Sequence, residues 1–169
     1  MEINSSTLKL VRLAPDPEEN PALITNYAAQ LAHILNTDRG LPQEYILPQE
    51  APNETAESVL TTAESWCRER NAKSFMIVLE NGTVVGAISL SHIDYGSHSA
   101  RVGYFVTSLL QGRGLGTEAL VKLLSIAHEL RLRMISASIA TDNNASRRIW
   151  EKSGASVEFN DSGVTAFLD

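Results

Sequence analysis

Residues Gln111-Gly112-Arg113-Gly114-Leu115-Gly116-Thr117 join an apolar, strand-like segment, Val102 to Leu110, to an amphipathic, helix-like one, Glu118 to Leu130. Three glycines in five positions are costly in backbone entropy, so they mark a turn that needs positive φ angles or brings amides close to a ligand. The helix that follows offers unpaired N–H groups and the positive end of its dipole, and a phosphate can be held there without dedicated lysines. A diphosphate-bearing ligand is therefore the first expectation. An ATP loop needs Lys-Ser or Lys-Thr after its last glycine, whereas Thr117-Glu118 follows Gly116. The dinucleotide fingerprint G-x-G-x-x-G accepts Gly112 and Gly114 but meets Thr117 at its third position. What remains is Gln-x-x-Gly-x-Gly, from Gln111 to Gly116.

A second segment, Asn143-Asn144-Ala145-Ser146-Arg147-Arg148-Ile149-Trp150-Glu151-Lys152-Ser153-Gly154-Ala155, lies about 30 residues downstream, after a strand. The two motifs, in this order, resemble the acetyl-coenzyme A pyrophosphate loop and the N-x-x-S-x-x-x-(aromatic)-x-K-x-G signature of the GCN5-related N-acetyltransferases, the GNAT family. The resemblance runs loosely from Lys73 to Phe159 and is nearest the branch that acetylates ribosomal-protein N-termini.

Periodicity gives the order of elements. Thr7 to Leu13 reads as a strand, and Ala22 to Leu35 as a helix whose Leu23, Tyr27, Leu31, Ile34 and Leu35 share a face, with Pro21 suited to its first turn. Asn36 to Asn53 is a long connection with Gly40, Pro42, Pro48 and Pro52, and loops of this length are more often functional than not. Thr55 with Ser58 opens a second helix, to Asn71, that buries Val59, Leu60, Ala63 and Trp66. Ser74 to Leu79 and Val84 to Ile93 read as strands around an Asn81-Gly82 hairpin. After the turn Tyr95-Gly96-Ser97-His98, Ala100 to Leu109 returns antiparallel. Met134 to Ala140 is a further strand; Thr141-Asp142 caps the last helix, Gly154 ends it, and the strands Ser156 to Phe159 and Val164 to Leu168 close the chain. The expected fold is a single α+β N-acetyltransferase domain over residues 1–169. Its order is β-α-α-β-β-β-α-β-α-β-β, with a mixed, mostly antiparallel, twisted sheet flanked by helices. Val102 to Ala140 forms a parallel crossover. In the resembled family these two parallel strands splay apart, and the pantetheine arm enters the gap.

The resemblance implies that acetyl-coenzyme A is the co-substrate. Backbone groups of Phe105, Val106 and Thr107 would pair with pantetheine, with the Val106 N–H as donor to the thioester oxygen. Gln111, Gly112, Arg113, Gly114, Leu115, Gly116 and Thr117 would hold the pyrophosphate, Asn143 the arm, and Arg147, Arg148 or Lys152 the adenosine phosphate. Two positions depart from the family pattern. Trp150 stands where many members carry a proton-donating tyrosine and serves instead to wall the channel; Arg101 stands where relatives often carry a glutamate base. Water, Ser108 or Tyr104 is left to protonate the thiolate, and Asp94, His92 or His98 to relay the amine's proton. Cys67, on a helix beside Trp66, offers little for a covalent route. The expected activity is acetyl transfer to a primary amine, a protein N-terminus or a small molecule, by direct attack in a ternary complex. A module or sensor that binds acetyl-coenzyme A without turnover is the alternative.

Composition excludes other classes. The net charge of −6 argues against sequence-independent nucleic-acid binding. Its distribution is uneven: residues 1–110 carry 7 basic and 13 acidic side chains, residues 111–152 carry 7 and 4, and the tail none and 3. That asymmetry suits a polyanionic co-substrate at one end and a cationic amine at the other. No apolar run is long enough for a bilayer and Met1-Glu2-Ile3-Asn4 lacks signal-peptide character. With a lone cysteine, no metal cluster is expected and a cytoplasmic location is. Trp66, Tyr95 and the last two strands supply candidate surfaces for a homodimer.

Overall fold

The computed structural model describes residues 8–140 and 142–169. Its elements are β1 (Leu8–Ala14), α1 (Pro21–Thr37), α2 (Ala56–Arg70), β2 (Lys73–Leu79), β3 (Val84–Asp94), β4 (Ser99–Val106), α3 (Leu115–Glu129), β5 (Met134–Ser138), α4 (Asn144–Glu151), β6 (Ser156–Phe159) and β7 (Gly163–Phe167). This is the order expected, although Thr7 and Thr141 lie outside the described residues. The strands form one sheet in the order β1-β2-β3-β4-β5-β7-β6, antiparallel at every junction except β4–β5.

Local chemistry sets most boundaries. Asn20 caps α1 by accepting from the amides of Ala22 and Leu23, with Pro21 in the first turn, and Thr55 and Ser58 form a reciprocal capping box on α2. Gly82 turns the β2–β3 hairpin at φ +88°. The unbroken apolar run of β2 follows from its place between two helical layers. Phe75 and Ile77 face the cluster containing Leu120 and Leu123 of α3, while Met76 and Val78 face the cluster containing Tyr27 and Leu31 of α1.

Several boundaries differ from the sequence reading, β5 ending at Ser138 rather than Ala140 among them, and three others shape the cleft. β4 ends at Val106 rather than Leu109, because a short 3-10 turn, Ser108–Leu110, intervenes and leaves Leu109 84% exposed. α3 begins at Leu115 rather than Glu118, since Gly114 at φ +79° is its N-cap; Leu115, Gly116 and Thr117 are helix and not loop. Asn143, not Thr141-Asp142, caps α4, its side chain accepting from the Ser146 amide. In α2 the deeply buried residues are Val59 and Cys67, with Leu60, Ala63 and Trp66 only partly covered.

The parallel pair β4–β5 is joined at three positions only, Ser99 with Met134, Ala100 with Ile135 and Arg101 with Ser136. Beyond them β4 pairs with β3 alone, and β5 with β7 alone. Beyond the point of divergence each strand lies against a neighbour that lacks a side chain at one position, Gly86 opposite Val106 and Gly163 opposite Ser138. A Cβ on Gly86 of β3 would lie 2.0 Å from the Phe105 carbonyl oxygen, and one on Gly163 of β7 would lie 2.0 Å from that of Ala137. Close approach on both outer flanks leaves a gap in the middle of the sheet.

Candidate active site

A cleft of about 1280 Å³ passes through this gap and is lined from both faces of the sheet. On one face stand the start of α3 and the inner side of α4. On the other lies the connector between α1 and α2, at Gly40 to Tyr45.

The glycine segment is built to expose amides. Gly112 and Gly114 sit at φ +80° and +79°, and the first helical hydrogen bond of α3 is Glu118 N–H to Gly114 carbonyl, 3.0 Å. The amides of Leu115, Gly116 and Thr117 precede that bond, no side chain among the described residues caps them, and all three residues line the cleft. Gln111, Gly112 and Gly114 line it too, whereas exposed Arg113 does not. A Cβ on Gly116 would come within 2.9 Å of Ile149 Cδ1, so the glycine is also what lets α4 pack beside the loop.

Register decides which β4 groups face the gap. The Thr107 N–H donates to the Val85 carbonyl at 2.7 Å, and antiparallel pairing alternates, so Phe105 and Thr107 direct their backbone groups at β3. Tyr104 and Val106 direct theirs into the gap. Of the three residues expected to offer backbone groups, Val106 is therefore placed to do so and Phe105 and Thr107 are not; Tyr104 joins Val106.

On α4, Asn143 lines the cleft while its Oδ1 is committed to the helix cap at 3.0 Å. Arg147 turns away and lies over the Phe159 ring, 4.2 Å from its centroid, whereas Arg148 and Lys152, one helical turn apart, line the cleft. Trp150 is wholly buried in the wall, and its indole nitrogen, shut off from solvent, has no partner among the described residues.

The proton-transfer candidates separate clearly. Tyr104 lines the cleft, its hydroxyl 2.8 Å from the Ser146 Oγ, and burial raises its pKa. Ser108 does not line it: its hydroxyl donates to Asp38 Oδ1 at 2.5 Å. Asp94 is not brought to the cleft at all. It sits in the β3–β4 turn, accepting from the amides of Gly96 and Ser97, which hold its pKa down. β4 has 8 residues, so that turn lies roughly 23 Å from Val106 at about 3.3 Å per residue. His92 and His98 share that end. Arg101 is in the cleft and bonds Ser138 across its narrow end at 2.8 Å. Cys67 is buried, its thiol pushed up to about 11 by burial, which withholds a thiolate.

Sequence reading did not find Tyr45 or Asp38. Tyr45 ends a 3-10 turn in the connector, its ring 4.6 Å from that of Phe105, and burial, with Glu44 beside it, pushes its hydroxyl up to about 12. The connector is pinned at its other end as well, where Asn36 exchanges two hydrogen bonds with the Glu54 backbone, 2.7 and 2.9 Å. No periodicity signals either tie.

Residues 22–156 match the model of the acetyltransferase (GNAT) domain. The chain belongs to this family. It is 33% identical over 78 residues to the "Putative ribosomal N-acetyltransferase YdaF" of Bacillus subtilis, a match that spans 46% of this chain and less than half, 43%, of that protein. Among solved structures, Mycobacterium smegmatis RimJ in complex with CoA-disulfide superposes with a TM-score of 0.66 at 21% identity, covering 85% of this chain and 78% of that one. The spermidine N-acetyltransferase of Vibrio cholerae in complex with CoA and spermine gives 0.61 at 17%, covering 96% and 94%. At these identities the likeness is one of fold.

For a GNAT domain the group to be accommodated is acetyl-coenzyme A, and the residues present fit it. Uncapped amides at the α3 N-terminus suit a pyrophosphate, Arg148 and Lys152 flank them with positive charge, and the gap exposes unpaired strand edges of β4 and β5. No cluster of His, Cys, Asp or Glu suited to a metal occurs among the described residues. No helix among them is long and apolar enough to cross a membrane.

Proposed function

We propose that this chain, as a single domain over residues 1–169, transfers the acetyl group of acetyl-coenzyme A to a primary amine by direct attack in a ternary complex. One observation carries the reading: the uncapped amides of α3 and the gap-facing edge of β4 open into the same cleft, which is reached from both faces of the sheet. Acetyl-coenzyme A, when bound, supplies an activated acetyl group and a thiolate leaving group. The amides of Leu115, Gly116 and Thr117, with Gln111 and Gly112, hold the pyrophosphate, and Arg148 and Lys152 replace Arg147 beside the outer phosphate. The Val106 N–H meets the thioester oxygen as it gains charge; a preorganised donor of this kind is worth about 3 kcal/mol. The amine gives up its proton to water in the open cleft, the C–N bond forms as the C–S bond breaks, and Tyr104, held by Ser146, protonates the departing thiolate in place of Ser108, whose hydroxyl is engaged by Asp38. The amine enters along the connector, past Glu44 and Tyr45.

Protein N-termini and polyamines are the acceptor classes named for similar proteins, and both present the cationic amine that the acidic first part of the chain would attract. The test is calorimetric titration with acetyl-coenzyme A, then thiol release with a panel of free N-terminal peptides and polyamines. Saturable binding with turnover on at least one amine is expected. Binding without turnover across the panel would turn the reading toward a sensor, and absence of binding would end it.

A further inference from the structure

Asp38 is locally misplaced. It follows α1 directly, as the C-cap, where the helix dipole is negative and where the last turn offers no basic residue. Its explanation lies 69 and 70 residues away in sequence. One carboxylate oxygen accepts from the Thr107 hydroxyl and the Ser108 amide, both at 2.8 Å; the other accepts from the Ser108 hydroxyl at 2.5 Å and the Gly40 amide at 3.0 Å. Burial works to raise its pKa, but the bonds from Ser108, Thr107 and Gly40 outweigh it and hold the carboxyl ionised. The same junction is closed by contact, since a Cβ on Gly40 would stand 2.6 Å from both Cβ and Oγ of Ser108.

The three segments that meet here have different tasks. Thr107 follows Val106, and its N–H is what fixes the intervening peptide against β3. Ser108 opens the 3-10 turn that leads to the glycine loop, a turn with no cap from its own N-cap side chain and therefore capped from α1. Gly40 begins the connector that carries Glu44 and Tyr45 into the cleft.

We propose that Asp38 is a positioning residue for acetyl transfer, locking the connector wall of the cleft to the end of β4 so that the incoming amine and the Val106 donor stay in register. The inference rests on the proposed transferase reading. It is tested with Asp38→Asn, whose amide can accept on one side only and so abandons part of the set of four bonds. Gly40→Ala is the second variant: it forces the connector off Ser108 while leaving the carboxylate intact. Both should lower kcat/KM for the best amine of the panel by about 10- to 100-fold, as small misplacements of reacting groups do, while coenzyme A affinity changes by no more than about twofold. Asp38→Glu should recover part of the loss. Amide hydrogen exchange should rise together at residues 40–45 and at 107–108 in Asp38→Asn.

Wild-type turnover in both variants would overturn the proposal. So would a fall in coenzyme A affinity that matches the fall in kcat/KM, because a merely structural role moves both. Failure of the transferase reading has a separate signature, wild-type protein that takes up no coenzyme A; unchanged exchange at 40–45 in Asp38→Asn would then still refute the lock.

Discussion

Gly86→Ala is the substitution through which the fold most directly controls the site. The added Cβ would meet the Phe105 carbonyl oxygen at 2.0 Å, where ordinary contact begins at 3.4 Å, so β3 and β4 must part by about 1.4 Å. The obstacle is backbone and not the end of a flexible side chain, and the slack available is the gap itself. β4 is therefore expected to move toward β5, carrying Val106 into the space meant for the thioester arm. Overpacking of this kind costs about 1–3 kcal/mol in stability, and displacement of a reacting group by about 1 Å costs about 100-fold in rate. Gly82→Ala is the control. It has open space around its Cβ but a φ of +88°, so strain alone costs it about 1–2 kcal/mol. Urea unfolding should place the two variants close together in stability, while thiol-release assays and acetyl-coenzyme A calorimetry should find the loss of rate and affinity in Gly86→Ala only. If Gly86→Ala keeps wild-type affinity and turnover, or if Gly82→Ala loses as much, the outward lean of β4 is not what opens the cleft.

Gly114→Asp puts a carboxylate at the uncapped start of α3, where it would occupy the amides and repel a pyrophosphate; coenzyme A affinity should fall at least about tenfold, read by calorimetry. Tyr45 supplies a pH dependence. Its hydroxyl ionises near 12 in the fold against about 10 in an unfolded chain, so its contribution to stability is complete below about pH 10 and is lost as pH rises toward 12. Thermal melts across that range should show an alkaline decline that Tyr45→Phe reduces, and an unreduced decline would refute the assignment. Trp150→Phe removes a buried N–H that has no partner among the described residues, which offsets part of the packing loss, so stability should stay within about 1–2 kcal/mol of wild type. Turnover should persist as well, because that nitrogen does not reach the cleft surface; loss of turnover at unchanged coenzyme A affinity would make Trp150 a participant.

What could be read from the chain is what is encoded in neighbouring residues, and what could not is encoded in pairs far apart. The Gln111 to Thr117 segment announces itself because its function is local: glycines supply positive φ, the next residues supply a helix start, and the two together make an anion site. The element order follows for the same reason, from caps, hairpin glycine and periodicity. Sequence proximity to the end of a strand, by contrast, does not say which end of the neighbouring strand holds the chemistry. Asp94 is adjacent to β4 in sequence and yet lies at its far end. Arg147 and Arg148 are equivalent by composition, and only the packing of Phe159 against the former decides which of them turns to the cleft. Gly86, Gly163 and Asp38 make the point most sharply. Glycine inside a strand, as at Gly86, and a carboxylate behind a helix C-terminus, as at Asp38, are locally unfavourable choices, and each is accounted for by a carbonyl or a hydroxyl that the fold brings alongside, as Gly163 at the start of β7 is by the Ala137 carbonyl. A residue that breaks a local rule without local compensation is thus a pointer to a tertiary contact. In this chain Gly86, Gly163 and Asp38 lie on the borders of one gap, and their placement is independent of the glycine motif in locating the site.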